Sequence, residues 1–282
     1  MKLWIIYIII YAILNGLYRS TKKLAITKNN TIYEVLAYIT LTSLILVIPI
    51  SKDIFSINIF NLLIILIKSI IVAISWYLSL YAISNMDLSL HGILNLSRII
   101  FTTILSIIIL GEVLTINTII GILLVILGIY LVNKSSNNTS KITNNKAIIA
   151  NILFCLFGSI SAIIEKRLLL HITSSQLQFW SLLFITIIYF IIIFIKQRKI
   201  NHQAIYKNYY IIIASIFLIV GDRFLYLANE IPESSVIIMT LLKQLSTIIT
   251  IILGKIIFKV NNIIKKLLFS LLIIIGIIII LI

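Results

Sequence analysis

Acidic residues are scarce in this chain. Eight aspartates and glutamates stand against 23 lysines and arginines, and only 11% of the 282 residues are charged. The acids Asp53, Glu112, Glu230 and Glu233 fall in separate places without metal-ligand spacing, so neither a metal nor any other cofactor is expected. The single cysteine, Cys155, excludes an intrachain disulfide and a cysteine-built metal site. The three histidines (His91, His171 and His202) lie far apart, and neither HExxH nor GxSxG occurs. No glycine loop followed by Lys-Ser or Lys-Thr is present, so nothing here supports ATP-driven pumping. These absences leave an enzyme with little to work with.

What the chain has instead is apolar length. Hydrophobic residues make up 61% of it, and the mean hydropathy is +1.21. Apolar runs fall at roughly 3–19, 33–50, 61–83, 89–110 and 117–133, then 147–164, 176–195, 206–228, 234–254 and 263–282. A bilayer crossing takes about 20 largely apolar residues, so ten crossings use roughly 200 residues and leave no room for a soluble domain. Lipid-exposed backbone must satisfy its own hydrogen bonds, and the strict alternation of a barrel is missing, so helices are the default. The fold expected is an all-α integral membrane protein with ten transmembrane helices. A cleaved signal peptide is not expected, since the first run leads to Arg19 without a small-residue cleavage site. In a soluble protein the net charge of +15 would suggest nucleic acid as a partner. Here the basic residues sit mostly in short loops, where they set topology, and the bilayer is the partner.

The halves repeat. Lys22-Lys23 match Lys166-Arg167 at an offset of 144, Ala82 matches Ala228 at 146, and Gly111 matches Gly254 at 143. The polar stretch Asn133 to Lys146 (NKSSNNTSKITNNK) divides them and reads as a flexible linker. The organisation expected is a first five-helix repeat over 1–133, a linker over 134–146 and a second five-helix repeat over 147–282. With an odd number of spans in each half, the second repeat enters the membrane inverted, an arrangement from which many secondary transporters are built.

From Trp76 to Val132 the chain resembles the third-to-fifth-helix region of the EamA-like family in the drug/metabolite transporter (DMT) superfamily. The resemblance rests on Gly111-Glu112 at the end of the fourth span, and on Gly121 and Gly128 in the fifth. In the second half YLANEIPESSVIIM repeats the pattern in degraded form, and Gly254-Lys255 carries lysine in place of the acid. Family members often carry a proline midway along helices four and nine; this chain has Arg98-Ile99 and Leu242-Lys243 near those places. The resemblance implies two five-helix repeats working by alternating access, and names no substrate.

Loops after odd-numbered spans hold fifteen basic residues, the opposite side four. By the positive-inside rule both termini then lie outside, whereas the family analogy places them inside. Both orientations stay open.

Polar groups within the apolar runs are the candidate site, because hydrocarbon penalises them unless they face a partner or a watery cavity. Arg98 and Lys243 lie deep in the fourth and ninth spans, and Asp222-Arg223 lie in the eighth. An anionic or amino-acid-like solute would answer these cations; the alternative is internal pairing of Arg98 with Asp222 and of Lys243 with Glu165. Asp222 and Glu165 are the candidates for coupling to protons. Trp76, Tyr77, Asn15 and Tyr226 complete the substrate-binding candidates, the aromatics either stacking on a solute or serving as interfacial belt residues. Lys68 is long enough to snorkel to the interface, Glu34 sits at a span end, His91 reads as interfacial, and Glu112 as a turn stabiliser. Gly158, Ser159 and Ser161 suit close helix packing. The function expected is a non-enzymatic secondary transporter, an exporter or exchanger of a small amino-acid-like or anionic metabolite in the cytoplasmic membrane, acting as monomer or homodimer. The alternative is an intramembrane enzyme or flippase acting on lipid-linked substrates.

Overall fold

The computed structural model describes residues 2–26, 31–51, 53–85, 91, 94–134, 145–197, 208–258 and 263–281. The backbone is helical at α1 (Leu3–Ala25), α2 (Ile32–Val47), α3 (Ile59–Asn85), α4 (Ser97–Leu105), α5 (Ile116–Lys134), α6 (Asn145–Leu168), α7 (Ser174–Gln197), α8 (Tyr209–Glu230), α9 (Val236–Leu242), α10 (Leu245–Phe258) and α11 (Ile263–Leu281). No strand occurs among the described residues. Nine helices there are long and apolar enough to cross a bilayer, counting α9 and α10 as one, and Ser97–Leu110 is a shorter apolar helix. Most of the linker read at 134–146, residues 135–144, lies outside the described residues.

Helix starts follow local chemistry. Thr31 caps α2 by accepting from the Glu34 amide, while Glu34 Oε2 accepts from the Thr31 amide at 2.8 Å. That reciprocal cap gives the buried Glu34 carboxylate a structural role. Thr115 caps α5 at the Thr118 amide, and Thr173 with Gln176 does the same for α7. Gly111, at φ +70°, ends the fourth span in the left-handed conformation that glycine adopts without strain.

The fourth and ninth spans are not continuous α-helices. At Asn95–Leu96 the bonds tighten to three-residue spacing, Arg98 N to Asn95 O and Ile99 N to Leu96 O. At Lys243–Gln244 the same happens, with Gln244 N to Leu241 O, Ser246 N to Lys243 O and Thr247 N to Gln244 O. Neither break has a proline. In each, a serine hydroxyl donates to a backbone carbonyl three residues earlier, Ser97 to Leu94 and Ser246 to Lys243, both at 2.7 Å. A hydroxyl that bonds the backbone competes with the helix ladder, a feature that both breaks share.

The chain divides into two compact units. Met1–Ala73 with Ile164–Pro232 forms one, in which α1 lies along α8 and α2 packs on α7 and α8. Its core includes Tyr18, Val35, Ile39, Phe179, Leu182 and Leu218. Gln176 Nε2 holds the Asp53 and Ser56 carbonyls and Trp180 Nε1 the Ile54 carbonyl, tying the loop before α3 to α7. Ile74–Ile163 with Glu233–Ile282 forms the other, in which α5 lies along α11 and α9 meets α4. A Cβ at Gly121 would stand 2.7 Å from the Gly276 carbonyl oxygen, and one at Gly276 2.9 Å from that of Gly121. The α5–α11 contact is therefore backbone on backbone, as small residues permit in a membrane. Each unit takes helices from both halves of the sequence.

Candidate functional site

The first unit holds a buried polar cluster centred on an ion pair. Lys68 Nζ lies 3.4 Å from Glu165 Oε2, with the two side chains only 4% and 9% exposed. Lys68 therefore does not reach the interface as its length allowed; it turns inward. Glu165 Oε1 also accepts from Asn229 Nδ2 at 2.9 Å, and the Lys68 ammonium lies over the Tyr226 ring, 5.6 Å from its centroid. Glu165 is thus engaged by both Lys68 and Asn229. Beside it, Lys166 Nζ donates to the Asn229 and Ile231 carbonyls and closes the C-terminal end of α8. Glu230 accepts from the Ser174 amide at the start of α7.

One turn before Tyr226 stands the Asp222-Arg223 pair. Arg223 Nη2 donates to Ser175 Oγ at 2.6 Å, and its Nη1 is buried with no hydrogen-bond partner among the described residues. Asp222 is half-buried and within electrostatic reach of the Tyr18 and Tyr226 phenols. Asn15, on α1, is half-buried. Of the nine sequence candidates, five (Asn15, Glu165, Asp222, Arg223 and Tyr226) fall in this unit.

The other four, Trp76, Tyr77, Arg98 and Lys243, fall in the second unit. Lys243 stands at the ninth-span break, and Arg98 two residues past the fourth-span one. The Arg98 guanidinium lies over the Phe154 ring at 5.4 Å, and the buried His91 stacks on the same ring at 6.4 Å. Gly158 supplies the space for Arg98: a Cβ there would come within 2.6 Å of the guanidinium carbon. The surrounding bonds hold the break in place. Asn95 Nδ2 meets His91 Nδ1 at 3.1 Å, Ser159 Oγ takes the Arg98 carbonyl at 3.2 Å, and Thr102 meets Ser159 at 2.9 Å. Trp76 is half-buried, and Tyr77 is 38% exposed. Among the described residues no group of three or more His, Cys, Asp or Glu is placed to hold a metal ion.

One family model, that of the EamA-like transporter family, matches residues 2–134 and again 145–282. The chain belongs to this family. It is therefore a multi-pass membrane transporter of the DMT superfamily. A solved structure described only as a crystal structure of a protein is similar over 99% of this chain and 95% of its own. Its TM-score is 0.72 at 11% identity, so the likeness is one of fold. No curated protein matches the chain.

In this EamA-like chain the Gly-Glu signature has a role that its spacing did not disclose. Glu112 does not merely stabilise its own turn. Its carboxylate accepts from Ser235 Oγ at 2.5 Å, from the Val236 amide at 2.6 Å and from the Ile237 amide at 3.1 Å. A carboxylate from the first half thus satisfies the unbonded amides at the start of α9, where the helix dipole also favours it. A cavity of about 350 Å³ adjoins this cap, lined by Thr115, Asn117, Ser235 and Ile280 among others. Sequence reasoning also passed over Asn95, Phe154 and Asn229. The amides could have been noticed as polar groups inside apolar runs; Phe154 carries no such signal.

Proposed function

We propose that this protein is a secondary transporter, an exporter or exchanger of a small amino-acid-like or anionic metabolite across the cytoplasmic membrane. It works by alternating access between two inverted five-helix repeats, 1–133 and 147–282, joined by a linker over 134–146 and totalling ten transmembrane helices. The observation that carries this reading is the pair of proline-free breaks, in the fourth span at Asn95–Leu96 and the ninth at Lys243–Gln244, each bearing a deep cation. Discontinuous helices supply the ion and substrate sites of many such transporters, because an interrupted ladder leaves polar backbone at membrane depth. Arg98, Lys243 and Arg223 answer the charge of the solute. Trp76, Tyr77, Asn15 and Tyr226 complete the proposed lining, and Asp222 and Glu165 are the groups proposed to exchange a coupling proton.

The test is untargeted metabolite profiling of cells and medium, comparing wild type with the Arg98→Ala/Arg223→Ala double variant at matched membrane levels. A solute carrying a carboxylate or other anionic group should change compartment with wild type and stay put with the variant. A solute that moves equally with both would retain a transporter and remove these arginines from its site. No compartment change for any solute would remove the transporter reading.

A further inference from the structure

Asn151 lies on α6 within the second unit, fully buried, and among the described residues neither Nδ2 nor Oδ1 has a hydrogen-bond partner. Its helix row is otherwise accounted for. Ala147, one turn earlier, packs in a cluster with Ala82, Tyr81 and Leu94. Cys155, one turn later, has its sulfur 3.5 Å from Asn95 Oδ1, and Ser159 follows with bonds to the Cys155 and Arg98 carbonyls and to Thr102. Residues four apart on a helix share a face, so Asn151 sits on the row that α6 turns toward the fourth-span break. An unmet amide in an apolar interior is costly and is rarely kept without use. A leucine of nearly the same shape would fill the place with no such cost.

We propose that Asn151 is a substrate-contacting residue. Its missing partner is the polar head of an amino-acid-like solute, met when the row opens in another conformation of the transport cycle. This inference rests on the transporter reading above and deepens it by naming the ligand chemistry. A carboxamide presents one acceptor and one donor side by side. An α-amino acid offers both partners from one α-carbon, its carboxylate accepting from Nδ2 and its ammonium donating to Oδ1. The guanidinium of Arg98, seated on Phe154 three residues after Asn151 on the same helix, takes a second anionic or polar group of the same solute.

The experiment is counterflow in proteoliposomes of the full chain, with radiolabelled proteinogenic amino acids and, in parallel, radiolabelled monocarboxylates lacking an amine. Melting temperature in detergent is measured on the same preparations. For Asn151→Leu the expected result is a melting temperature raised by about 2 °C or more and amino-acid counterflow reduced about tenfold or more. Full counterflow in Asn151→Leu would show that the amide is only a cost and would overturn the proposal. A lowered melting temperature would show that the amide is already bonded in the resting fold, and would overturn it too. Wild type that exchanges monocarboxylates but no amino acid would overturn the ligand class and leave the transporter standing. Wild type that exchanges nothing would remove the transporter reading itself, and this inference with it.

Discussion

Removing either partner of the Lys68–Glu165 pair alone should destabilise the protein by about 3–5 kcal/mol, because each single change leaves an uncompensated charge out of water. The side chains are 4% and 9% exposed, so solvent does little to screen them. Lys68→Met strands the Glu165 carboxylate with Asn229 as its one remaining donor among the described residues, and Glu165→Leu strands the Lys68 ammonium over the Tyr226 ring. The double variant Lys68→Met/Glu165→Leu should recover most of the loss, since replacing a buried pair by apolar groups of similar volume is often neutral. Thermal unfolding of the four proteins in one detergent closes the cycle. A coupling term below about 1 kcal/mol would mean that the pair is hydrated and behaves as a surface bridge. The same double variant separates structure from coupling. If Glu165 exchanges the coupling proton, the folded double variant retains solute exchange and loses accumulation driven by a proton gradient.

The second large effect is expected at the α5–α11 contact. Gly121→Val places new carbon against the Gly276 carbonyl, 2.7 Å away at Cβ alone, and against the side chain of Ile280. Ile280 can turn aside, but a carbonyl in a helix cannot, so the helix axes have to separate. Overpacking of this kind costs about 1–3 kcal/mol in soluble cores, and the upper end is expected here because the neighbour is backbone. Gly128 adds to the same seam, its added Cβ lying 3.1 Å from the Ile273 amide nitrogen. Gly111→Ala is the contrast. No atom lies within 4 Å of its added Cβ, so only the left-handed backbone at φ +70° is penalised, by about 1 kcal/mol. The yield of monodisperse protein after detergent extraction should fall steeply for Gly121→Val and little for Gly111→Ala. Equal yields would mean that the seam tolerates separation.

The helical, membrane-embedded character was legible because hydrocarbon imposes it. A run of twenty apolar residues in a chain this poor in charge has few other places to go. Gly111 ended its helix as read, since a left-handed cap is a local property of glycine. The breaks in spans four and nine were not read from the sequence, because neither carries the proline that most often signals one. Their actual mark is an amide, a leucine and a serine, Asn95-Leu96-Ser97 in one half and Gln244-Leu245-Ser246 in the other, 149 residues apart. That offset lies outside the 143–146 of the other anchors, whereas Arg98 and Lys243, 145 apart, keep the register of the repeat. What sequence spacing could not disclose is pairing across helices. Lys68 and Glu165 are 97 positions apart, and Glu112 meets Ser235 across 123. Lys68 was read by its depth in its own span and Glu112 by its turn, while Glu165 was read as a coupling group or as a partner for Lys243. In each case the partner lay on another helix, where only the packed structure brings it close.

The most direct test of the account is Gly158→Ala. The added methyl would fall within 2.6 Å of the Arg98 guanidinium carbon and on the flexible end of that side chain, so the arginine shifts while the helices stay. If Arg98 receives the solute, counterflow of the transported solute in proteoliposomes should fall about tenfold or more, with a melting temperature close to that of wild type. Wild-type counterflow from Gly158→Ala would contradict the assignment of Arg98, and with it the placing of the site at the fourth-span break.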